Sequence, residues 1–345
     1  MPEIKVNTGE KHYKLIINGR LEDLPTLCGG KRTFILTDEN VFELYRKRFP
    51  RALTYVLKPG ERSKELKVIR EIYEFLLQKE FDRNSLILGI GGGVVCDIAG
   101  FVASTYMRGV ELGLVPTTLL AQVDASIGGK NGVNLRGFKN IVGTFYQPSF
   151  VLTDFSVLQT LSSSEVREGL AEIIKHALIA DAKLFELLEG MREEILKLKG
   201  SVFSSVVERA IKVKVKVVEK DEKEKGLRRI LNFGHTFGHA FEKVYGLPHG
   251  EAVASGMFMA VNLSCRKGFI SERTKSRIEA VLESYGFHKP RLNHIEELIQ
   301  AFRRDKKREG AFINFVLLEE VGKAKVEKIN LKELEGFLHD LCKHW

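Results

Sequence analysis

Short apolar runs set off by glycine, proline, aspartate and charge dominate the first half of the chain. Residues 33–37, 54–57, 85–90 and 150–153 are such runs, and their unbroken apolar character predicts strands buried on both faces of a parallel sheet. Between the second and third, Leu66, Ile69, Ile72, Tyr73 and Leu76 recur at helical spacing. Strand, helix, strand in that order predicts an open α/β sheet. From about residue 162 to 310 the pattern turns helical. Residues 165–180, 202–219 and 235–245 read as helices, and 250–268 is apolar nearly all round, which predicts a buried helix. Residues 312–318 and 324–329 pair as an expected hairpin. No internal repeat, low-complexity tract or Pro/Ser-rich linker separates the halves, so the boundary near 155–162 is expected to be a packed hinge.

Charge and composition narrow the function classes. The 54 bases exceed the 45 acids by nine, but the charges are interleaved, as in Lys220-Asp-Glu-Lys-Glu-Lys225, rather than segregated. Small phosphorylated ligands fit that surplus, and no nucleic-acid partner is expected. No stretch approaches the roughly 18 to 20 apolar residues of a membrane span, and Glu3, Lys5, Glu10 and Lys11 interrupt the region where a signal peptide keeps its apolar core. The expectation is a cytoplasmic protein with no membrane partner. Cys28, Cys96, Cys265 and Cys342 form no closely spaced pair, so any metal must use nitrogen and oxygen ligands.

Three polar constellations stand out. After the run ending at Ile90 come Gly91-Gly92-Gly93 and then Asp97, a strand-to-helix turn whose glycines let a backbone approach a pyrophosphate. It is equally a structural turn. Gly89 and Gly91 start a G-x-G-x-x-G whose last position is Val94, and Glu111 is the only acid near the ribose-binding distance, though Asp38 follows another strand where a carboxylate could accept a ribose hydroxyl. Pro59-Gly60-Glu61 and Lys64 add a charged turn. In the second half, His235-Thr-Phe-Gly-His239 puts two imidazoles at i and i+4 on one helix face. Thr236 occupies the place where metalloproteases carry their glutamate base, so peptide hydrolysis is not supported. His249 follows in Leu-Pro-His249-Gly-Glu251, and Glu172 and Lys175 share a face of an otherwise apolar helix. One carboxylate with two histidines would bind zinc and leave a position open for substrate, while a surface pair is the plain alternative. The third constellation, from Arg108 through Asp124, Lys130 and Asn134 to Lys139 and Asn140, threads bases and amides through glycines and suits a phosphate with several hydroxyls, or else a set of turns.

Taken together, the segments G-G-G-V-V-x-D-x-A-G-F-V-A, M-R-G, P-T-T-L-L-A-Q-V-D, G-G-K-x-G-V-N, K-N-x-x-G, G-L-A-E-I-I-K, L-N-F-G-H-T-F-G-H-A and H-G-E-A-V resemble those of the 3-dehydroquinate synthases, over about residues 38 to 322. The resemblance implies an α/β fold, with an N-terminal Rossmann-like nucleotide-binding domain over 1–158 followed by a mostly α-helical metal- and substrate-binding domain over 159–345. It implies conversion of 3-deoxy-D-arabino-heptulosonate 7-phosphate to 3-dehydroquinate and phosphate, the second step of the shikimate pathway. That reaction combines transient oxidation by NAD, phosphate elimination, re-reduction and intramolecular aldol closure. The net class is a carbon–oxygen lyase. NAD and zinc, or cobalt in its place, are the implied cofactors, and a homodimer the implied assembly.

Position by position, the resemblance makes Glu172, His235 and His249 the metal ligands and His239 a proton-transfer group near the substrate, which splits the i+4 pair between two tasks. It assigns Arg108, Asp124, Lys130, Asn140, Lys175, Lys214, Arg228, Asn232 and Lys306 to substrate or phosphate. Asp38, Asn40, Gly60, Glu61, Lys64, Gly91, Gly92, Gly93, Asp97, Thr117, Thr118, Lys130, Lys139 and Thr160 would hold NAD. Lys214 sits in Lys212-Val-Lys-Val-Lys216, where nothing local separates it from a solvated charge run. Cys96 stands where the family carries Gly, and Asn131 where it carries Thr. Two alternatives share much of this inventory: another sugar phosphate cyclase such as 2-deoxy-scyllo-inosose synthase, against which Asn232 speaks, and a metal-dependent polyol dehydrogenase.

Overall fold

The computed structural model describes residues 3–9, 11–303 and 308–344. The chain forms two compact units, one of residues 1–166 and 214–223, the other of residues 167–213 and 224–345. In the first, the strands are β1 (Glu3–Thr8), β2 (Lys11–Ile16), β3 (Thr33–Asp38), β4 (Leu53–Leu57), β5 (Leu86–Gly91), β6 (Glu111–Pro116), β7 (Lys130–Leu135), β8 (Phe138–Phe145) and β9 (Phe150–Leu152). Its helices are α1 (Leu24–Leu27), α2 (Glu39–Tyr45), α3 (Leu66–Gln78) and α4 (Gly93–Thr105).

Seven strands make one sheet in the order β1-β2-β9-β6-β5-β3-β4, parallel throughout except for β1. β5 is buried at every position and β3 at its four central ones, as expected of strands covered on both faces. From β3 the chain proceeds outward to β4, whereas from β5 it proceeds the other way to β6. The order therefore reverses between β3 and β5, and the C-terminal ends of the strands at such a reversal are where open α/β sheets bind ligands. Asp38 ends β3 and Gly91 ends β5.

Three elements depart from the pattern reading. The β1–β2 hairpin and β6 are strands that the apolar runs do not flag. In β6, Gly113 interrupts the run because a Cβ there would stand 2.5 Å from the Phe150 ring. Residues 130–145, read as turns, form the antiparallel β7–β8 hairpin. A glycine of α4 lets this hairpin pack closely: a Cβ on Gly100 would lie 1.8 Å from Asn131 Oδ1. Asn131 is held there by donating Nδ2 to the carbonyls of Gly129 (2.8 Å) and Tyr146 (3.1 Å).

The second unit carries α5 (Ser163–Ala180), α6 (Ala182–Gly190), α7 (Arg192–Leu196), α8 (Gly200–Lys220), α9 (His235–Tyr245), α10 (His249–Arg266), α11 (Glu272–Ser284), α12 (Ile295–Arg303) and α13 (Leu331–His344), with the last residues of α8 belonging to the first unit. β10 (Arg308–Glu309), β11 (Phe312–Glu320) and β12 (Lys323–Asn330) form a small sheet around the expected hairpin. Phe237, Phe302, Phe315 and Phe337 anchor one core, and α10 is buried almost all round, as its apolar composition requires.

Gly100→Ala forces a methyl group onto Asn131. It should destabilise the protein by about 1–3 kcal/mol, the ordinary range for overpacking. Adding Asn131→Ala should restore much of that loss, giving a coupling of at least about 1 kcal/mol in a double-mutant cycle of thermal or denaturant unfolding. Additive effects would contradict the packing described.

Candidate functional site

The most concentrated chemistry lies where α5, α9 and α10 converge. α9 and α10 meet backbone to backbone. A Cβ on Gly256 would fall 1.9 Å from the Gly234 carbonyl, one on Gly238 3.0 Å from the Ala252 carbonyl, and one on Gly250 2.4 Å from Glu168 Cα on α5. Gly234, which precedes α9, also has φ +77°, a conformation glycine adopts without the steric cost of a side chain. This crossing sets His235, the first residue of α9, beside His249, the first residue of α10, and both beside Glu172, one turn beyond Glu168.

Glu172 Oε1 lies 3.5 Å from His235 Nε2 and 3.6 Å from His249 Nε2. The other ring nitrogens are anchored: His235 Nδ1 to the Phe233 carbonyl at 3.2 Å and His249 Nδ1 to Glu242 Oε1 at 2.6 Å. These Nδ1 contacts orient the rings so that both Nε2 atoms face Glu172 Oε1. Lys175 Nζ bonds Glu172 Oε2, and both side chains are fully buried. One carboxylate oxygen and two imidazole nitrogens within 4.8 Å of one another, anchored from behind, are a donor set that fits zinc or cobalt. His239 lies one turn on from His235, with ring centroids 5.7 Å apart, and is not part of that set.

The electrostatics of the two histidines differ. Burial holds His235 well below the ordinary imidazole value, against the pull of Glu172 and with the help of Lys175 and the neighbouring rings. Burial also pulls His249 down, but hydrogen bonds and charge from Glu172 and Glu242 outweigh it and raise the ring to about 10.

Elsewhere in this unit, Arg228 is buried in the short helical turn Leu227–Asn232, and Asn232 donates Nδ2 to Glu224 Oε1 at 2.5 Å. Lys306 lies outside the described residues. Sequence reasoning missed three polar residues here. His176 is fully buried and Glu242 holds His249; they stand at i+4 from Glu172 and i+7 from His235, spacings a helical wheel would have flagged. Glu224 sits in a charge run and carried no local signal.

In the first unit, Asp38, Gly91, Gly92, Gly93, Thr117 and Thr118 stand at or just beyond the C-terminal ends of β3, β5 and β6. Asp38 caps α2 by accepting from Val41 N–H at 3.1 Å, and burial raises its carboxyl. The Gly91 carbonyl accepts from Thr117 N–H, and a Cβ on Gly92 would stand 3.1 Å from Thr118 Cγ2. Lys64 is buried, not solvated: its Nζ donates to Asp97 Oδ2 at 2.5 Å and to Asn140 Oδ1 at 2.6 Å. Burial pushes Asp97 up to about 6 although Lys64 opposes it. Gly60 turns at φ +94° into Glu61, and Thr160 Oγ1 hydrogen-bonds the Tyr45 hydroxyl at 2.6 Å. Asn40, Lys130 and Lys139 are exposed.

Arg108 (φ +68°) and Asn140 (φ +52°) both adopt left-handed backbone, which for residues other than glycine persists where surrounding structure over-determines it. Asp124, in the π-helical turn Ala121–Ala125, accepts from Lys214 Nζ at 2.6 Å. Lys214 is buried while Lys212 and Lys216 are exposed, a distinction invisible in the sequence. Glu111 does not occupy a ribose position. It opens β6 opposite Leu86, at the far end of the sheet from the glycine turn, and pairs with Lys31. The Cys96 thiol points inward, with Sγ 3.7 Å from the Gly91 carbonyl, and burial raises it strongly.

Residues 54–168 match the family model described as 3-dehydroquinate synthase N-terminal, and residues 169–308 the one described as 3-dehydroquinate synthase C-terminal. The chain is 44% identical over 321 residues to the 3-dehydroquinate synthase of Thermoanaerobacter pseudethanolicus, covering 88% of this chain and 89% of the relative. It is 41% identical over 344 residues to that of Dictyoglomus thermophilum, covering 96% of each. Among solved structures it is similar to 2-epi-5-epi-valiolone synthase from Streptomyces hygroscopicus subsp. jinggangensis with NAD+ and Zn2+ bound. That match has a TM-score of 0.88 at 28% identity over 98% of this chain and 99% of the other.

The unequal histidines predict the proton count of metal binding. In the metal-free protein His235 is neutral near pH 7, whereas His249, raised to about 10, carries a proton. A metal must displace that one proton, so affinity should rise about tenfold per pH unit from roughly pH 7 and level off near 10. The linked stability has the same origin: the His249 contribution is fully present below its unfolded value near 6.5 and is lost as pH rises through about 10. Competition titrations of zinc or cobalt against an indicator across pH measure the slope. A slope of zero or two would contradict this charge assignment.

Proposed function

The chain belongs to the 3-dehydroquinate synthase family, and from that premise we propose how its residues carry the reaction. The reaction is conversion of 3-deoxy-D-arabino-heptulosonate 7-phosphate to 3-dehydroquinate and phosphate in the shikimate pathway. The alternatives, an inosose-forming cyclase or a polyol dehydrogenase, are not the activity that the matching family models and relatives are named for. The observation that carries the residue assignment is the convergence of Glu172, His235 and His249, with both Nδ1 atoms anchored.

Glu172, His235 and His249 hold a zinc or cobalt ion, which supplies Lewis-acid polarisation of substrate hydroxyls. Asp38, Asn40, Gly60, Glu61, Lys64, Gly91, Gly92, Gly93, Asp97, Thr117, Thr118, Lys130, Lys139 and Thr160 would hold NAD, which when bound would supply reversible redox chemistry without net consumption. This division gives the metal to residues 159–345 and the nucleotide to residues 1–158, with Thr160 just beyond that boundary. It makes the enzyme a metal-dependent carbon–oxygen lyase.

The chain's own groups do the rest. Lys130, Arg108 and Asn140 bind the substrate phosphate, and the two cations neutralise its charge as it departs. Lys175 fixes the Glu172 carboxylate in place through their buried ion pair. His239, outside the donor set but beside His235, moves a proton at the substrate. Asp124, Lys214, Arg228 and Asn232 orient hydroxyl and carboxylate groups, with Lys214 and Asn232 themselves fixed by Asp124 and Glu224. We extend the reading to a homodimer acting in the cytoplasm. Among the described residues, no helix is long and apolar enough to cross a membrane.

Purified protein given the heptulosonate phosphate, zinc and substoichiometric NAD should release phosphate over many turnovers while absorbance at the reduced nicotinamide band stays flat. A stoichiometric rise in that band would point to a dehydrogenase.

Removing a ligand and removing a proton-transfer group have different signatures. His235→Ala should lose metal and activity together, whereas His239→Ala should keep its metal and lose about 10²- to 10⁴-fold in rate. Metal analysis and steady-state rates at equal zinc decide this. Metal loss only in His239→Ala would reverse the two roles.

A further inference from the structure

We propose that Asn134 is a positioning residue that locks the Glu61–Lys64 segment and Asn140 into a single arrangement. It is half-buried near the end of β7, and its side-chain Nδ2, its Oδ1 and its backbone N–H are all hydrogen-bonded. Its side-chain Nδ2 donates to Glu61 Oε1 at 2.7 Å, and its Oδ1 accepts from the Asn140 backbone N–H at 2.9 Å. Its own N–H donates to the Lys64 carbonyl at 2.6 Å, and it makes an isolated parallel bridge with Glu65. One residue thus ties together a helical turn, a strand and the start of the next strand.

Each arm has a separate consequence. The Oδ1 arm holds Asn140 in its left-handed backbone, a state that needs external support in a residue with a side chain. Lys64 Nζ then occupies Asn140 Oδ1, so the Asn140 amide NH2 is the group available to a ligand oxygen. The Nδ2 arm occupies one oxygen of Glu61 and directs the other. This inference rests on the assignment above of Glu61 and Lys64 to the nucleotide and of Asn140 to the substrate phosphate. Asn134 acts on both ligands only through those neighbours.

The two arms separate experimentally. Asn134→Asp keeps the acceptor for the Asn140 N–H, removes the donor to Glu61 and sets two carboxylates against each other. Asn134→Ala removes both arms. Calorimetric titration of full-length protein with NAD, without substrate, gives Kd, and steady-state rates at saturating NAD give KM for the heptulosonate phosphate. Asn134→Asp should weaken NAD about tenfold or more while the substrate KM and kcat stay within about twofold, and Asn134→Ala should impair both ligands by about ten- to a hundredfold. The near-isosteric Asp variant carries the decision even if the Ala variant folds poorly. An unchanged NAD Kd in Asn134→Asp, with normal wild-type binding, overturns this inference alone. Parallel losses of both ligands in that variant, tracking a lowered melting temperature, overturn it in favour of a purely structural role. Wild-type protein that binds no NAD overturns the nucleotide assignment and this inference with it.

Discussion

The crossing of α9 and α10 without intervening side chains is the constraint on which the candidate metal site depends. Gly234, Gly238 and Gly256 let the two backbones touch, and Gly250 brings the start of α10 against α5. A methyl group at Gly234, Gly250 or Gly256 would drive the helices apart, because the neighbouring atoms are main chain and cannot rotate away. Helices held at ordinary packing distance would separate His235 from His249. The imidazoles then need only their second nitrogens anchored, and the Phe233 carbonyl and Glu242 do this.

That arrangement sets opposing electrostatic demands. Glu172 and Lys175 are fully buried as an ion pair, which recovers its desolvation cost only with good geometry and further partners. In the metal-free chain the Glu172 carboxylate and Glu242 hold a proton on His249, while burial keeps His235 neutral. A divalent ion in that position replaces the proton with a larger charge and is favoured by the same two carboxylates.

The first unit accommodates buried charge through hydrogen bonds and ion pairs. Lys64, buried between Asp97 and Asn140, and Lys214, held by Asp124, are cations whose burial is tolerated because each has an anionic or amide partner at hydrogen-bond distance. Left-handed backbone at Arg108 and Asn140 shows how far the loops are constrained around these groups. The sheet supplies the rigid frame. Its reversal between β3 and β5 opens at one end, where the glycine turn and Asp38 meet.

Sequence alone determined the parts governed by local periodicity and by segment chemistry. Apolar runs marked β3, β4, β5 and β9, helical spacing marked α3, α5, α8, α9 and α10, and the eight shared segments pointed to the family. Burial of individual charged side chains is a tertiary property, and there the sequence was silent. Lys214 and its neighbours Lys212 and Lys216 are the same residue type in the same alternation, yet only the helix face turned toward Asp124 makes one of them buried. Glu111 had a plausible spacing for a ribose contact, but strand direction placed it at the wrong end of the sheet. His235 and His239 are equivalent by helical spacing, and only the close approach of α10 and α5 set one of them, not the other, in a donor group with His249 and Glu172. Period and composition depend on neighbours along the chain, whereas charge state, ligation and orientation depend on neighbours in space, and only packing supplies those.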